Sequence, residues 1–328
     1  MTGPSESPFF RRRLIVRTAP LFLLPLFCGV SLDSVMSNDP VSTGSAVELS
    51  ADNPFAKPSP LLYQSPQFDR IREEHFRPAF LEGMRLQLLE MDAITAQSEL
   101  ATFENTIVAI EKSGALLTRV RNVFSNLTSS HKNDALQKIE TELAPLQAAH
   151  SDNILLNKTL FSRVDALWNQ RAELKLTTEQ SEVLKQHYES FVRAGARLTD
   201  AQQTRIRAMN EEISKLETQF EENLLALTKE RVVVVDSVSE LDGLSAGDIA
   251  AAAEAAKERG LEGKYVLEIT NTTRVPQLAS LNNRELRKRL WEASAERGLG
   301  RSGGLDNRPL ILQLAKLRAE RAKLLGYG

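Results

Sequence analysis

Between Thr199 and Glu230 the sequence "TDAQQTRIRAMNEEISKLETQFEENLLALTKE" keeps Ile206, Met209, Ile213, Leu216, Phe220, Leu224 and Leu227 in register at three-and-four spacing. That period is helical, and some thirty residues at 1.5 Å each make a rod of about 45 Å. A rod that long with one apolar stripe needs other helices packed along it, because isolated helices gain most of their stability from such packing. The fold class follows: mostly α, built from several helices. No repeat of the kind that marks a solenoid accompanies it.

The preceding segments supply the partners. "FDRIREEHFRPAFLEGMRLQLLEMDAI" places Phe68, Ile71, His75, Phe76, Phe80 and Met84 near helical spacing, with Pro78 expected to start or kink a helix. In "TFENTIVAIEKSGALLTRVRNVFSNLTSS" the stripe is Ile107, Ile110, Leu117, Val120 and Phe124, and Gly114 marks a bend. Further helices are predicted from Asp134 through Leu156, from Lys158 to about Arg171, and through "TTEQSEVLKQHYESFVRAG". The last of these reads as capped by Thr178 and closed by Gly195.

The period changes only after Lys229. "RVVVVDSV" and "KYVLEITN" read as short strands, a small β element around 231–270. Between them "SAGDIAAAAEAAKERG" is a helix capped at Ser245 and ended by Gly260. Helix returns with "LASLNNRELRKRLWEASAERG" and with "LAKLRAERAKLLGYG", where Asp306 or Asn307 is the expected cap, Pro309 sits in the first turn and Gly326 turns the chain. Leu314, Leu317, Leu324 and Leu325 form an apolar stripe on this helix that needs a partner to pack on. Isolated residues 1–328 are accordingly expected to expose apolar surface.

The first residues follow another logic. Arg11, Arg12, Arg13 and Arg17 precede the apolar run Ala19 to Val30, which is the charge order of a secretory signal at 1–32. Pro20 and Pro25 interrupt that run and weaken the competing reading as a permanent membrane anchor. "FRRRLIV" lacks the full twin-arginine consensus, and "LPLFC" has Phe27 where a lipoprotein box needs a small residue. Residues 33–52 are small and polar, the composition of a disordered linker. The expected destination is therefore export, periplasmic in a bacterium, with the cytoplasm as the alternative if the extension is not a signal. The helical region proper is 53–328.

Chemistry is sparse. With 41 basic and 43 acidic residues interleaved, the chain has no charge bias toward nucleic acid or an anionic membrane. Its single cysteine, Cys28, can form no intrachain disulfide and lies in the signal. A zinc hydrolase helix requires two histidines one turn apart with a glutamate beside the first, which puts both imidazoles on one face. The four histidines, His75, His131, His150 and His187, contain no such pair, and His75 in "REEHF" reads as a half-buried residue on a helix surface. Nucleophile-elbow, Walker and dinucleotide motifs are missing from the sequence. Gly303 and Gly304 precede a helix where anions can bind, but they read as a connector. The basic run Arg284, Arg287, Lys288 and Arg289 includes Glu285 and reads as a solvated face, with Leu286, Leu290 and Trp291 as its apolar stripe. Trp168 and Trp291 read as core anchors.

Longer strings are more specific. "NPF" at 53 with "FDRIREEHFRPAFLEGM" at 68–84, "FENTIVAIEKSGALLTRVRNVFSNLTSSHKNDALQ" at 103–137 and "LFSRVDALWNQR" at 160–171 resemble the bacterial peptidyl-dipeptidases of the thimet oligopeptidase family of zinc metallopeptidases. So do "FVRAGARLTDAQQTRIRAMNEEISKLETQFEENLLA" at 191–226 and "DNRPLILQLAKLRAERAKLLGYG" at 306–328. The matches are collinear and run through nearly all of 53–328.

The resemblance implies a two-part helical enzyme with a deep channel that admits short peptides, cuts dipeptides from their C-termini and holds zinc on an H-E-x-x-H helix plus a further Glu. Those residues lie beyond the point matching 328. No catalytic, cofactor-binding or metal-ligating residue is therefore assigned to this chain, which is expected to be the N-terminal portion of the enzyme and inactive alone. Its implied partners are short peptides and its own catalytic half, with no nucleic acid and no membrane beyond a signal or lipid anchor. An endopeptidase of the oligopeptidase A type is the alternative activity. A non-catalytic helical peptide-binding or scaffold protein is the alternative of another class.

Overall fold

A computed structural model describes residues 49–270, 272–301 and 304–327. The signal assigned to 1–32, the linker at 33–48 and Gly303 lie outside the described residues. At 49–52 the linker's last residues are described, and Leu49 packs against the first core cluster.

Helix α1 (Phe76–Thr95) starts where Pro78 falls in its first turn, a position whose missing N–H has no intrahelical partner. It buries Phe76, Ala79, Phe80 and Met84 on one face. Phe68, grouped with that face from its spacing, instead lies in a turn before the helix and is exposed. After α1 the chain forms a π-helical turn at Phe103–Val108 that runs into the single-turn α2 (Ala109–Lys112). Thr102 caps this turn: its hydroxyl accepts from Asn105 N at 3.0 Å while its own N–H donates to Asn105 Oδ1 at 2.8 Å. Gly114, at φ +67°, makes the expected bend and donates its N–H to Glu90 Oε2.

Helix α3 (Ala115–Ser130) then lies on α1 so closely that Gly83 faces the backbone of Leu117. Phe76 and Phe80 of α1 meet Phe124 edge-on, with ring centroids 5.1 and 5.3 Å apart. Helices α4 (Asp134–Leu155) and α5 (Lys158–Asn169) are capped by Asn133 and Asn157. Helix α6 (Thr178–Ala194) is capped one residue earlier than the sequence suggests, by Thr177 in a reciprocal box with Gln180. Thr178 lacks the extended backbone of a cap and is the first helical residue. Gly195 closes α6 at φ +110°.

The long rod is α7 (Asp200–Glu230), with Thr199 and Gln202 forming its capping box. Its stripe is buried at both ends, through Ile206, Met209 and Ile213 near the start and Leu227 near the finish. Leu216 and Phe220 are only partly covered, and Leu224 is exposed.

Strands β1 (Val233–Val235) and β2 (Tyr265–Leu267) pair antiparallel with Val234 opposite Val266. Helix α8 (Ala246–Lys257) packs on β2, and Ser245 caps it by accepting from Asp248 N. The next helical pattern is divided into α9 (Arg274–Ser280) and α10 (Arg284–Ala295). The division has a local cause: Asn282 N–H donates to Asp242 O at 2.8 Å rather than within a helix, and Asn283 caps α10 through Leu286 N. Gly243 beside it, at φ +99°, leaves no room for a Cβ, which would sit 2.1 Å from Ser280 O.

Helix α11 (Arg308–Leu324) returns to α7. Asp306 rather than Asn307 supplies the side-chain cap, accepting from Arg308 N at 3.0 Å. The stripe of Leu314, Leu317, Leu324 and Leu325, read from the sequence as awaiting a partner, is seated on Ile206, Met209 and Ile213. The apolar surface left open belongs to other residues, Ile311 at 50% and Leu312 at 62% exposure.

Candidate functional site

The four histidines have separate surroundings. His75 is half-buried and takes the Arg72 N–H on Nδ1 at 3.0 Å. His131 is exposed just after α3. On α6, His187 places Nε2 2.6 Å from Glu111 Oε1. On α4, His150 is buried, with Nε2 2.8 Å from Gln87 Oε1. Among the described residues no group of three or more His, Cys, Asp or Glu is placed to hold a metal ion. The four histidines are therefore not gathered at one site.

Two surfaces have the concavity and composition for binding. The first is a groove of about 640 Å³ between α7 and α11, walled by Phe220, Leu224, Ile311 and Leu314. Glu217 and Arg318 pair across it at 2.6 Å, so its floor is apolar and its rim charged. Helix α11 explains why it stays open: Leu310, Ile311, Leu312, Leu314, Ala315 and Leu317 spread over more than half of the helix circumference at 100° per residue. Packing on α7 covers only part of that arc.

The second surface is the outer side of α9 and α10. Within the basic run, Arg287 donates to Leu281 O and Asn282 O, and Arg289 donates to Val234 O, so these two are structural. Arg284 and Lys288 point to solvent beside Trp291. Trp291 is 60% exposed, which overturns its reading as a core anchor. Leu286 and Leu290 fill the buried face of α10, and position 291 lies a further 100° round the helix, beyond the reach of the core. Trp168 does pack, stacked on Tyr188 with centroids 4.5 Å apart and with the Arg171 guanidinium over its other face.

The relatives add what geometry alone does not. The dipeptidyl carboxypeptidase of Escherichia coli (strain K12) is 40% identical over 275 residues, 84% of this chain and 40% of the relative. That of Salmonella typhimurium is 41% identical over 278 residues, with the same two shares. By sequence, the chain is similar to dipeptidyl carboxypeptidases over 84% of its length. Oligopeptidase A of Haemophilus influenzae is less similar, 27% identical over 267 residues, 80% of this chain and 39% of the relative. No family model matches the chain. The chain spans about two fifths of the length of these curated relatives.

The likeness to peptidyl-dipeptidases and a mostly α architecture were legible in the sequence; the open groove and the exposed indole were not. Periodicity marks the face a helix buries, but it does not say how far a neighbour extends along that face. The one available signal was the width of the apolar arc on α11.

Proposed function

We propose that this chain is the helical part of a zinc metallopeptidase that hydrolyses oligopeptides by releasing C-terminal dipeptides. The observation that carries the reading is the 40% identity to dipeptidyl carboxypeptidases across 84% of the chain. The weaker 27% identity to an oligopeptidase A makes endopeptidase cleavage the second reading. Zinc and the groups that act with it belong, in this proposal, to polypeptide outside these 328 residues. The chain's own part is to wall the peptide channel and to seat that catalytic portion, for which the α7–α11 groove offers an apolar floor. We also propose export, on the strength of Arg11, Arg12, Arg13 and Arg17 ahead of the apolar run 19–30.

The test compares residues 1–328 with the product of the uninterrupted reading frame on an N-blocked tetrapeptide. The longer protein is expected to release the C-terminal dipeptide and to lose that activity to a chelator, while residues 1–328 release none. Dipeptide release by residues 1–328 alone, or chelator-insensitive release by the longer protein, refutes the proposal. Fractionation of the tagged protein decides export, and a purely cytosolic result excludes it.

A further inference from the structure

Arg284, Lys288 and Trp291 stand at i, i+4 and i+7 on α10, which aligns them in one stripe along its outer face. Val275 and Leu278 of α9 border that stripe, and Val275 is 57% exposed. The indole divides the ledge into two clefts. One, about 410 Å³, is bounded by Leu278, Arg284, Lys288 and Trp291. The other, about 280 Å³, is bounded by Val275, Leu278, Trp291 and Ala295.

An exposed tryptophan flanked by apolar side chains is unusual surface for a water-facing helix, and such side chains anchor bound partners more than other residue types. The charges give direction. Arg274, Arg284, Arg287 and Lys288 bound the two clefts, against Glu285 alone. Arg287 and Arg274 are held by Leu281 O, Asn282 O and Ser294 Oγ, and Lys288 lies 4.0 Å from Glu292, a loose contact. Arg284 is exposed at the mouth of the larger cleft. The 410 Å³ cleft is therefore cationic and the 280 Å³ cleft mainly apolar.

We infer that this ledge is a peptide subsite that takes an acidic side chain in the Arg284–Lys288 cleft and an apolar side chain across Trp291. It rests on the peptidase reading for the choice of a peptide as ligand. A peptide fits because alternate side chains of an extended chain lie on one face, about 6.6 Å apart, and can reach both clefts at once.

Emission from Trp291 tests it directly, using residues 1–328 with Trp168→Phe so that one indole reports. The probe is N-acetyl-Ala-Glu-Ala-Leu, with N-acetyl-Ala-Lys-Ala-Leu as the charge-reversed control. The Glu peptide is expected to shift the emission to the blue, to shield the indole from acrylamide and to bind at least tenfold tighter than the Lys peptide. Arg284→Glu with Lys288→Glu should weaken it at least tenfold, and high salt should weaken it too. Arg284→Gln with Lys288→Gln, milder on the fold, should give a smaller loss in the same direction. Equal binding of the two peptides, no spectral response at millimolar peptide, or tighter binding of a single-stranded oligonucleotide overturns the inference. Dipeptide release by the longer protein tests the peptidase reading separately, so failure of either is distinguishable.

Discussion

His150 makes the stability of this chain depend on pH in a calculable way. Gln87 Oε1 can only accept, so the hydrogen on the neutral ring is on Nε2, and a second proton must enter at Nδ1. Nδ1 is buried and has no partner among the described residues. Burial, with a smaller contribution from the Arg121 guanidinium, lowers the pKa from 6.5 to about 4. Because the folded pKa is below the unfolded one, the unfolded chain binds more protons between these values, and stability rises with pH through that window. Acidification from neutral to pH 5 should cost about 2 kcal/mol from this residue alone, and acidification to well below pH 4 about 3 kcal/mol. The assay is urea unfolding of wild type and His150→Gln at pH 8 and pH 5. Glutamine is polar, does not titrate and leaves the neighbouring Asp152, whose pKa burial raises, in both proteins. The variant is expected to be less stable at pH 8 by about 1–2 kcal/mol for lost packing, and the difference should close by about 2 kcal/mol at pH 5. A difference independent of pH, or an imidazole titrating near 6.5 by NMR, refutes the reasoning.

Gly83→Ala should lower the unfolding free energy by about 1–3 kcal/mol, read as a lower urea midpoint, because the added Cβ would lie 2.9 Å from the Leu117 backbone; an unchanged midpoint would mean that α1 and α3 are not in that contact. Arg163→Met should cost about 2–4 kcal/mol, since the buried guanidinium donates to Glu99 O, Asn105 Oδ1 and Thr106 Oγ1. Hydrogen exchange should then quicken at 97–108 and stay unchanged in α10, and a uniform increase would contradict a local role.

Helix boundaries were the most legible feature of the sequence because caps are chemical. Asn157, Thr199, Ser245 and Gly195 act through groups that need only a few residues of context. What failed was non-local. The break between α9 and α10 depends on Asp242, forty residues away, taking the Asn282 N–H. Phe68 and Trp291 kept helical spacing with buried neighbours, yet one lies before the helix starts and the other beyond the edge of the core. Apolar periodicity also could not foresee that the α11 stripe would be satisfied by α7 while Ile311 and Leu312 on its flank would not.

The return of α11 to α7 has a consequence for how the chain acquires its structure. Gln313 meets Glu212 and Arg318 meets Glu217 across 101 residues, and Arg205 meets Glu320 across 115. Between α7 and α11 lies a unit that closes on itself, with Val233, Leu241, Leu267, Leu281, Leu286 and Leu290 in one cluster. Once that unit has formed, it replaces a long floppy connection by a compact spacer, and the chain entropy opposing the return of α11 falls accordingly. The small β element is thus less an ornament on a helical fold than a clasp, which holds the two ends of a distant pairing within reach of one another.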